Sequence, residues 1–541
     1  MAAGKGLDLS FINAIDWNLA LKRISQDVRT DFIHAPHISV IYTHAGDELT
    51  EQVVKDLKSG SYSSGEPVTI EVPKTFRMPV ADKTKRILGP NYSRPGSILL
   101  PSDRLFYQAL ADQAAPVIDD ASDHDRSFSH QLGDPSSPTM FHSSRACWNQ
   151  LQGKNKEHAR KKDIKYALRL DIANYFGSLN QHKLINVLRD RGYPGPLAAK
   201  LEEMLLGFTG DRNSRGILQG MYPSDLFGNF YLAPVDEFLK EDLGVPSTRY
   251  VDDLYIFLDS IESSVSVVRE LIPMLRSYDV ILNEAKSKIL PAKSLLTEEP
   301  DLEELFDAAF DEAKEQLTDE EMQSEYGFQA EWEGDDDDGE DSRDALELAA
   351  TQALFDSIED YPGNEENIER FCLPLFARAG SDYAVDHVLS CFNERPSMAQ
   401  IYAAYLAGFL DNIEIKEFLA STLKVEKTMD WQRMWVLAAL MQAEEPINDA
   451  VKNSMGLLEN GARHPTLRAS AAIYAGRFGN HGIRVKLNRL YSGLPMYIQL
   501  AIYYSSRNWP LAERRTAKSS WGNHSPLHTL LTTGLDAKKK S

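Results

Sequence analysis

The stretch that decides the fold is Arg249-Tyr250-Val251-Asp252-Asp253-Leu254-Tyr255-Ile256-Phe257. Two runs of β-forming residues flank an adjacent pair of carboxylates, and this pattern predicts a hairpin whose turn exposes Asp252 and Asp253. An isolated Asp-Asp pair is also typical of a plain β-turn. The meaning of the pair therefore depends on which other acidic residues the fold brings to the same place.

A third acid, Asp171, ends an earlier β-type run, Tyr166–Leu170. Three carboxylates at one spot repel one another, and they are tolerated mainly when divalent cations neutralise them. Two Mg²⁺ ions held by carboxylates and substrate phosphates are the usual arrangement for nucleotidyl transfer. The sequence therefore predicts a site for two Mg²⁺ ions, with Mn²⁺ as an alternative, formed by Asp171, Asp252 and Asp253.

Across residues 68–292 the sequence resembles the reverse transcriptase family. The stretches that carry the resemblance are, in chain order, Pro73-Lys74, Arg94–Leu110, Asp171–Phe176, Gly216–Leu232, Tyr250–Asp253 and Leu282–Ser287. Tyr250–Asp253 is similar to the Tyr-x-Asp-Asp signature of that family. The resemblance implies an α+β fold with the fingers and the antiparallel palm sheet of a right-hand polymerase. It also implies a nucleotidyltransferase, an RNA-directed DNA polymerase that uses dNTPs.

The same resemblance implies roles for individual residues. Asp171 and Asp252 would carry the metal ions and Asp253 would support them. Lys286 would lie near the leaving pyrophosphate as a proton donor; the alternative is a solvated lysine at a helix end. Phe176 would be an aromatic steric gate that clashes with a 2′-hydroxyl, although packing in the core is an alternative for this ring.

The nucleotide would contact a further group of residues. Lys74 and Arg94 would bind the triphosphate, since a point charge and a forked guanidinium both suit phosphate oxygens. Either could instead be a plain surface cation. Gln219 and Gly220 would form the floor under the nucleotide, where glycine permits close approach of the backbone.

Length and composition fit a folded, multidomain chain. The chain has 541 residues, of which 43% are apolar, so we expect two or more domains with ordinary cores. A run of 18 apolar residues and a secretory signal are both lacking, which predicts a protein of the cytoplasm without a membrane partner. For the three cysteines, Cys147, Cys372 and Cys391, we expect buried, inert thiols rather than a disulfide framework or a structural zinc.

Acidic residues are concentrated in one segment. Residues 298–344 contain 22 Asp or Glu and only two basic residues, Lys314 and Arg343, so nearly all of the net charge of −22 lies there. Such a run repels itself and has little to bury, which predicts a mobile connector. An alternative is that it mimics nucleic acid and covers a basic groove. We therefore divide the chain into fingers and palm at 1–295, an acidic connector at 296–345 and a helical region at 346–541.

Different periodicities mark the two halves of the chain. In the first half, Ser39–Thr43 and Val280–Leu282 are predicted strands in addition to the runs around the acids. After the connector, helical periodicity dominates in Ser397–Leu410, Trp431–Met441 and Thr466–Phe478. Helices separated by short polar turns predict an all-α, HEAT-like repeat domain in place of a polymerase thumb, with an irregular bundle as the alternative.

A basic tract lies near the end of the helical region. Aromatic residues alternate with its cations, so we expect a channel for single-stranded nucleic acid. The candidate binding residues are Arg463, Arg468, Arg477, Arg484, Arg489 and Arg507. The alternative is that the rings form a helix core and the cations form its solvated rim.

A palm followed by a helical region resembles the abortive-infection and other defence-associated reverse transcriptases of bacteria, the AbiK type in particular. That resemblance implies DNA synthesis that starts from a protein hydroxyl and needs no conventional template, with single-stranded DNA as the product and a homo-oligomer as the expected assembly. The candidate priming residues are Tyr42, Tyr503 and Tyr504. Two alternatives remain: an RNA-templated enzyme with a bound non-coding RNA, and a nucleic-acid-binding effector with a regulatory palm.

Overall fold

The computed structural model describes residues 6–80, 89–210, 213–296, 305, 306, 309, 340–361, 363–522 and 525–537. The predicted acidic connector lies almost wholly outside these residues. The chain divides into two compact units. The first consists of Met1–Thr69, Pro95–Thr297 and His524–Ser541, and the second of Ile70–Arg94 and Glu298–Asn523.

The first unit begins with four helices. They are α1 (Leu9–Ala14), α2 (Trp17–Asp27), α3 (Pro36–His44) and α4 (Gly46–Ser59). The prediction of a strand at Ser39–Thr43 is wrong, because this stretch lies within α3. The buried positions Ile38, Ile41 and Ala45 follow helical spacing, and Pro36 occupies the first turn, where its missing N–H costs nothing.

A four-stranded sheet forms the centre of the first unit. Its strands are β3 (Tyr166–Asp171), β4 (Ser247–Tyr250), β5 (Asp253–Leu258) and β6 (Lys288–Pro291). Their order in the sheet is β4-β5-β3-β6, and every described pairing is antiparallel. β4 and β5 form the hairpin predicted around the acid pair.

The predicted strand at Val280–Leu282 is wrong. These residues contribute a single bridge, Ile172 to Leu282, and the strand that pairs with β3 is β6, further along the chain. Asp279, just before them, has a φ of 58°, which bends the backbone out of an extended path. Ile281 is 67% exposed, so its apolar side chain is not a sign of burial in a sheet.

Helices cover the sheet and supply its support. α5 (Pro101–Ala121) is buried along most of its length, and α10 and α2 pack against it. The other helices of this unit are α6 (Ser144–Ala159), α7 (Tyr175–Ser178), α8 (Gln181–Asp190), α9 (Gly195–Phe208), α10 (Tyr222–Tyr231), α11 (Ala233–Glu237) and α12 (Ile261–Ser277). α11 continues into a π-helical turn, Phe238–Asp242.

The helix Pro526–Ala537 also belongs to the first unit. It packs against α3, and a Cβ built on Gly534 would lie 2.9 Å from the carbonyl oxygen of Val40. Glycine at 534 therefore permits a close approach of two helix backbones.

The second unit is helical apart from part of a hairpin, β1 (Val68–Arg77) and β2 (Asn91–Ile98). Its described helices are Glu340–Asp356, Glu365–Arg378, Val385–Cys391, Ala399–Leu406, Ile413–Thr422, Asp430–Leu440, Asn448–Glu459, Pro465–Phe478, His481–Leu490, Met496–Ser505 and Leu511–Ser520. Neighbouring helices pack in succession, which confirms the predicted helical second half. No helix among the described residues is both long and apolar enough to cross a membrane.

Candidate active site

The sheet brings the three predicted acids together. In the register of β3 with β5, Asp171 is directly opposite Asp253, at the end of the ladder. Directly opposed residues of an antiparallel pair have Cβ atoms about 4.5–5.5 Å apart. Asp252 occupies the turn next to Asp253, so all three carboxylates lie at one edge of the sheet.

Burial and acidic neighbours raise the pKa values of Asp252 and Asp253. Burial raises the pKa of Asp252 to about 6, and the negative charges of Asp253 and Asp171 add to the effect. Burial also raises the pKa of Asp253, while the nearby guanidinium of Arg169 lowers it. Arg169 is 3.9 Å from Asp253 Oδ1, a weak ion pair. The edge therefore holds negative charge that the protein itself compensates only in part.

Asp171 has the best-placed partners of the three. Lys286 Nζ lies 3.1 Å from its Oδ1, and Asn283 Nδ2 donates to its Oδ2 at 2.9 Å. The backbone N–H of Asn283 donates to the carbonyl of Asp171 at 2.7 Å, which positions this loop against the end of β3. The sequence interpretation included Lys286, but it assigned no role to Asn283.

The turn that carries Asp252 has a strained backbone. Val251 has a φ of 53°, in the left-handed region that a β-branched residue rarely adopts. Two buried groups hold it there. Ser129 Oγ accepts from the N–H of Val251 at 2.8 Å, and Arg249 donates to the Val251 carbonyl at 2.9 Å.

Arg249 is the centre of a buried hydrogen-bond network under this turn. Its side chain is 2% exposed, and Nη2 lies 2.6 Å from Asp236 Oδ2. It also donates to Asn229 Oδ1 at 2.9 Å and to Ser127 Oγ at 3.1 Å. Ser129 donates to the same Asn229 oxygen at 2.7 Å. This network could not be predicted from the sequence, because its members come from four separate segments.

Phe176, five residues after Asp171, packs against α10. Its ring lies on Gly228, where a built Cβ would be 2.7 Å from Cε1 of the ring. The neighbouring Tyr175 donates its hydroxyl to the Gly228 carbonyl at 2.6 Å. Phe176 is half-buried, so one part of the ring packs on the helix and another part is accessible.

Gly220 lies just before α10 in a conformation suited to glycine. Its φ is 79°, and a built Cβ would be 2.5 Å from Cε2 of Phe32. Any side chain would therefore be strained and would displace the Phe32 ring. Gln219, next to it, is half-buried. Both observations agree with a closely packed surface before α10.

One part of the chain matches a known protein family. Residues 88–301 match the family described as reverse transcriptase (RNA-dependent DNA polymerase). The chain contains a reverse transcriptase domain. The match identifies this part of the chain as an RNA-directed DNA polymerase domain, a nucleotidyltransferase. No curated protein matches the sequence closely enough to count as a relative.

Three solved telomerase structures are similar to parts of the chain. Telomerase from Candida tropicalis in complex with a TWJ fragment of telomeric RNA is 13% identical, with a TM-score of 0.30; the match covers 69% of this chain and 66% of that one. The corresponding Candida albicans complex is 11% identical, with a TM-score of 0.27 and coverage of 73% and 68%. Apo telomerase from Candida tropicalis is 10% identical, with a TM-score of 0.29 and coverage of 90% and 74%. We draw no conclusion from similarity at this level.

The predicted triphosphate ligands, Lys74 and Arg94, lie on the β1–β2 hairpin in the second unit, outside the palm of the reverse transcriptase domain. Both are exposed. Asn91 Nδ2 donates to the carbonyl of Lys74 at 2.7 Å, a bond between the two strands. Contact of either side chain with a nucleotide stays a prediction.

All three candidate priming tyrosines are buried. Tyr42 is 6% exposed within α3, and burial raises the pKa of its hydroxyl. Tyr503 and Tyr504 are 2% and 5% exposed, and the side chains of Lys518 and Arg507 lie over their respective rings. Priming from any of them would require the hydroxyl to leave its buried position.

Most of the predicted nucleic-acid-binding arginines have partners inside the second unit. Arg463 pairs with Asp430 at 3.0 Å, and Arg484 pairs with Glu513 at 2.6 Å. Arg468 and Arg477 donate to the backbone carbonyls of Leu458 and Met441, Arg507 covers Tyr504, and Arg489 is exposed. The aromatic residues between them are largely buried, in agreement with the alternative of a helix core with a cationic rim.

Proposed function

We propose that this reverse transcriptase domain synthesises DNA from dNTPs by a two-metal mechanism at Asp171, Asp252 and Asp253. The observation that carries the proposal is the register of β3 with β5, which places Asp171 opposite Asp253 and next to the Asp252 turn. Burial, together with acidic neighbours, raises the pKa values of Asp252 and Asp253, so bound cations would stabilise the charged carboxylates gathered at this edge.

The donors fit Mg²⁺, a hard cation that prefers carboxylate oxygen. When bound, two such ions would stabilise the charge on the attacking and leaving oxygens of the phosphoryl transfer. Asp171 and Asp252 would hold the ions, and Asp253 would support them. Lys286, which is half exposed and now lies against Asp171, would neutralise charge on the leaving pyrophosphate and donate a proton to it.

Selection of the nucleotide would depend on residues around the acids. The Phe176 ring, fixed on Gly228, would exclude a 2′-hydroxyl and so favour deoxynucleotides. Gln219 and Gly220 would form the floor under the base and sugar. Lys74 and Arg94 on the hairpin would bind the triphosphate.

The wider role in this proposal is anti-phage defence of the AbiK type, in the bacterial cytoplasm, by a homo-oligomer. Two sequence features support it. The chain continues from the palm into an acidic segment and a helical region, without the basic thumb that grips a template and primer duplex. A tether to the protein would keep the growing end close despite the missing thumb. In this arrangement the helical region would bind the single-stranded product.

The test is incorporation of labelled dNTPs by the purified full chain with Mg²⁺. Labelled product is expected from the wild type, and none from Asp171→Ala or Asp252→Asn, because a lost metal-bound carboxylate costs several kcal/mol of transition-state stabilisation. Asp259→Asn is the matched control, since this exposed acid lies just beyond the opposite end of β5. Near wild-type incorporation by Asp171→Ala would refute the proposal.

The same reaction separates the modes of priming and templating. A covalent tether predicts that labelled product enters the protein fraction under denaturing conditions and is released by protease. After nuclease digestion, mass spectrometry would find the nucleotide remnant on Tyr42, Tyr503, Tyr504 or another residue. Product that is free of protein after denaturation contradicts protein priming. Loss of synthesis after RNase treatment of the enzyme favours the alternative of a bound RNA template.

A further inference from the structure

Three side chains with metal-binding atoms converge in the second unit, in a cluster that plays no part in the polymerase reaction. His387 and Cys391 lie four residues apart on the helix Val385–Cys391, so they share one face. Glu369 reaches them from the helix Glu365–Arg378. His387 Nε2 is 2.6 Å from Glu369 Oε1 and 3.7 Å from Cys391 Sγ, and the three ligand atoms lie within 4.8 Å of one another.

The buried carboxylate is held in one orientation. Glu369 is completely buried, and the hydroxyl of Tyr402 donates to its Oε2 at 2.7 Å. Oε1 is therefore the oxygen that faces His387 and Cys391. Arg395 also contacts Oε1 and supplies the positive charge that a buried carboxylate requires. An outer hydrogen bond of the kind made by Tyr402 is typical of carboxylates that bind metals.

His387 lies within hydrogen-bond reach of both other members of the cluster. A cation that displaces the imidazole proton would occupy the position between the three groups.

We propose that Glu369, His387 and Cys391 form a site for Zn²⁺. One oxygen, one nitrogen and one sulfur ligand suit a borderline cation of this kind, whereas Mg²⁺ avoids sulfur. Binding releases the proton of His387 Nε2 and any remaining thiol proton to solvent. The charges of the thiolate and the carboxylate then balance that of the ion. Arg395 already contacts Oε1 of Glu369, so the ion must compete with its guanidinium for this oxygen.

This arrangement departs from the expected role of the cysteines. The sequence interpretation expected inert thiols, and that expectation fits Cys372, which is fully buried and whose pKa burial raises to about 12. The expected burial is wrong for Cys391, which is partly exposed and hydrogen-bonded to a histidine. The His387 and Cys391 spacing is visible in the sequence, but the third ligand comes from another helix.

The site also lies close to the β1–β2 hairpin within the same unit. Thr75 donates to Glu366 at 2.6 Å, and Glu366 is three residues before Glu369 on the same helix. Ser397 donates to Glu366 as well, at 2.9 Å. A metal ion would therefore link the helices Glu365–Arg378 and Val385–Cys391. The first of these helices also contacts the hairpin, through Glu366.

The test uses Co²⁺ as a spectroscopic substitute for Zn²⁺ in the reduced, full-length protein. Excess Mg²⁺ keeps the polymerase acids occupied, and those acids offer no sulfur ligand. One equivalent of Co²⁺ should produce the near-ultraviolet charge-transfer band of a cobalt–thiolate bond, and Zn²⁺ should abolish it. Absence of the band at stoichiometric Co²⁺ would overturn the proposal.

Two cysteine variants make the assignment specific. Cys391→Ala should lose the band, whereas Cys372→Ala should keep it, because Cys372 lies on the same helix as Glu369 but outside the cluster. His387→Gln should weaken Co²⁺ binding while its circular dichroism stays that of the wild type. A band of equal strength in Cys391→Ala overturns the site, and so does unchanged affinity in a folded His387→Gln protein.

Discussion

Ser129→Ala is the sharpest test of how the catalytic turn is held. The Ser129 hydroxyl is fully buried, accepts from the N–H of Val251 at 2.8 Å and donates to Asn229 Oδ1 at 2.7 Å. Alanine removes one oxygen and leaves the surrounding side chains in place. The N–H of Val251 then lacks its partner beside Asp252, a proposed metal ligand.

The expected loss of activity in Ser129→Ala follows from two free-energy costs at Val251. A buried N–H that loses its partner costs about 1–3 kcal/mol. The left-handed φ of 53° at Val251, a β-branched residue, costs about 1–3 kcal/mol of conformational free energy. The backbone of the turn is therefore expected to relax once a restraint is removed. If 1–3 kcal/mol is lost from the reactive arrangement, kcat/KM falls about 5- to 150-fold.

Ser127→Ala is the matched control. Ser127 Oγ belongs to the same network and accepts from Arg249 at 3.1 Å, but Val251 N–H is bonded to Ser129 instead. Steady-state dNTP incorporation should therefore fall much further for Ser129→Ala than for Ser127→Ala, with both proteins folded by circular dichroism. Equal activities of the two variants, or wild-type activity in Ser129→Ala, would refute the argument that this bond positions the turn.

Two further predictions concern the sugar and the metal ions. Phe176→Ala should increase ribonucleotide use relative to deoxynucleotide use by about 5- to 150-fold, the equivalent of about 1–3 kcal/mol of discrimination, and an unchanged ratio would place the ring in the core. Because burial and its acidic neighbours raise the pKa of Asp252 to about 6, protons should compete with Mg²⁺ as the pH falls below that value. The Mg²⁺ concentration for half-maximal incorporation should then rise about tenfold per pH unit, and a constant value between pH 7 and 5 would contradict the competition.

The convergence of the three acids could be predicted from the sequence because its signal is local. β-forming runs on either side of Asp252 and Asp253 fix the hairpin, and a run that ends in Asp171 supplies the opposing strand. The same local reasoning failed at Ser39–Thr43, where a short apolar run is compatible with strand or helix until its burial is known. Helical burial of Ile38 and Ile41 decided that case.

The hydrogen bonds that hold the Val251–Asp252 turn could not be predicted, because they join segments that are distant in the sequence. Arg249 is one residue before Tyr250 and was assigned only to the strand, yet its partners include Ser127, Asn229 and Asp236. The pattern of a strand does not reveal which of its side chains will enter a buried polar network. A buried arginine in such a strand becomes informative only when its carboxylate partner is known.

The three acids differ in how far the protein compensates their charge, and this difference assigns them unequal dependence on metal ions. Asp171 accepts from Lys286 and from Asn283, so its charge has two close donors. Asp253 has the more distant Arg169 at 3.9 Å. Asp252 is the one whose pKa rises to about 6, since burial and two acidic neighbours act on it together. Loss of Mg²⁺ should therefore favour protonation of Asp252 near pH 6. The strained turn that presents Asp252 thus holds in place the carboxylate that gains most from a bound cation.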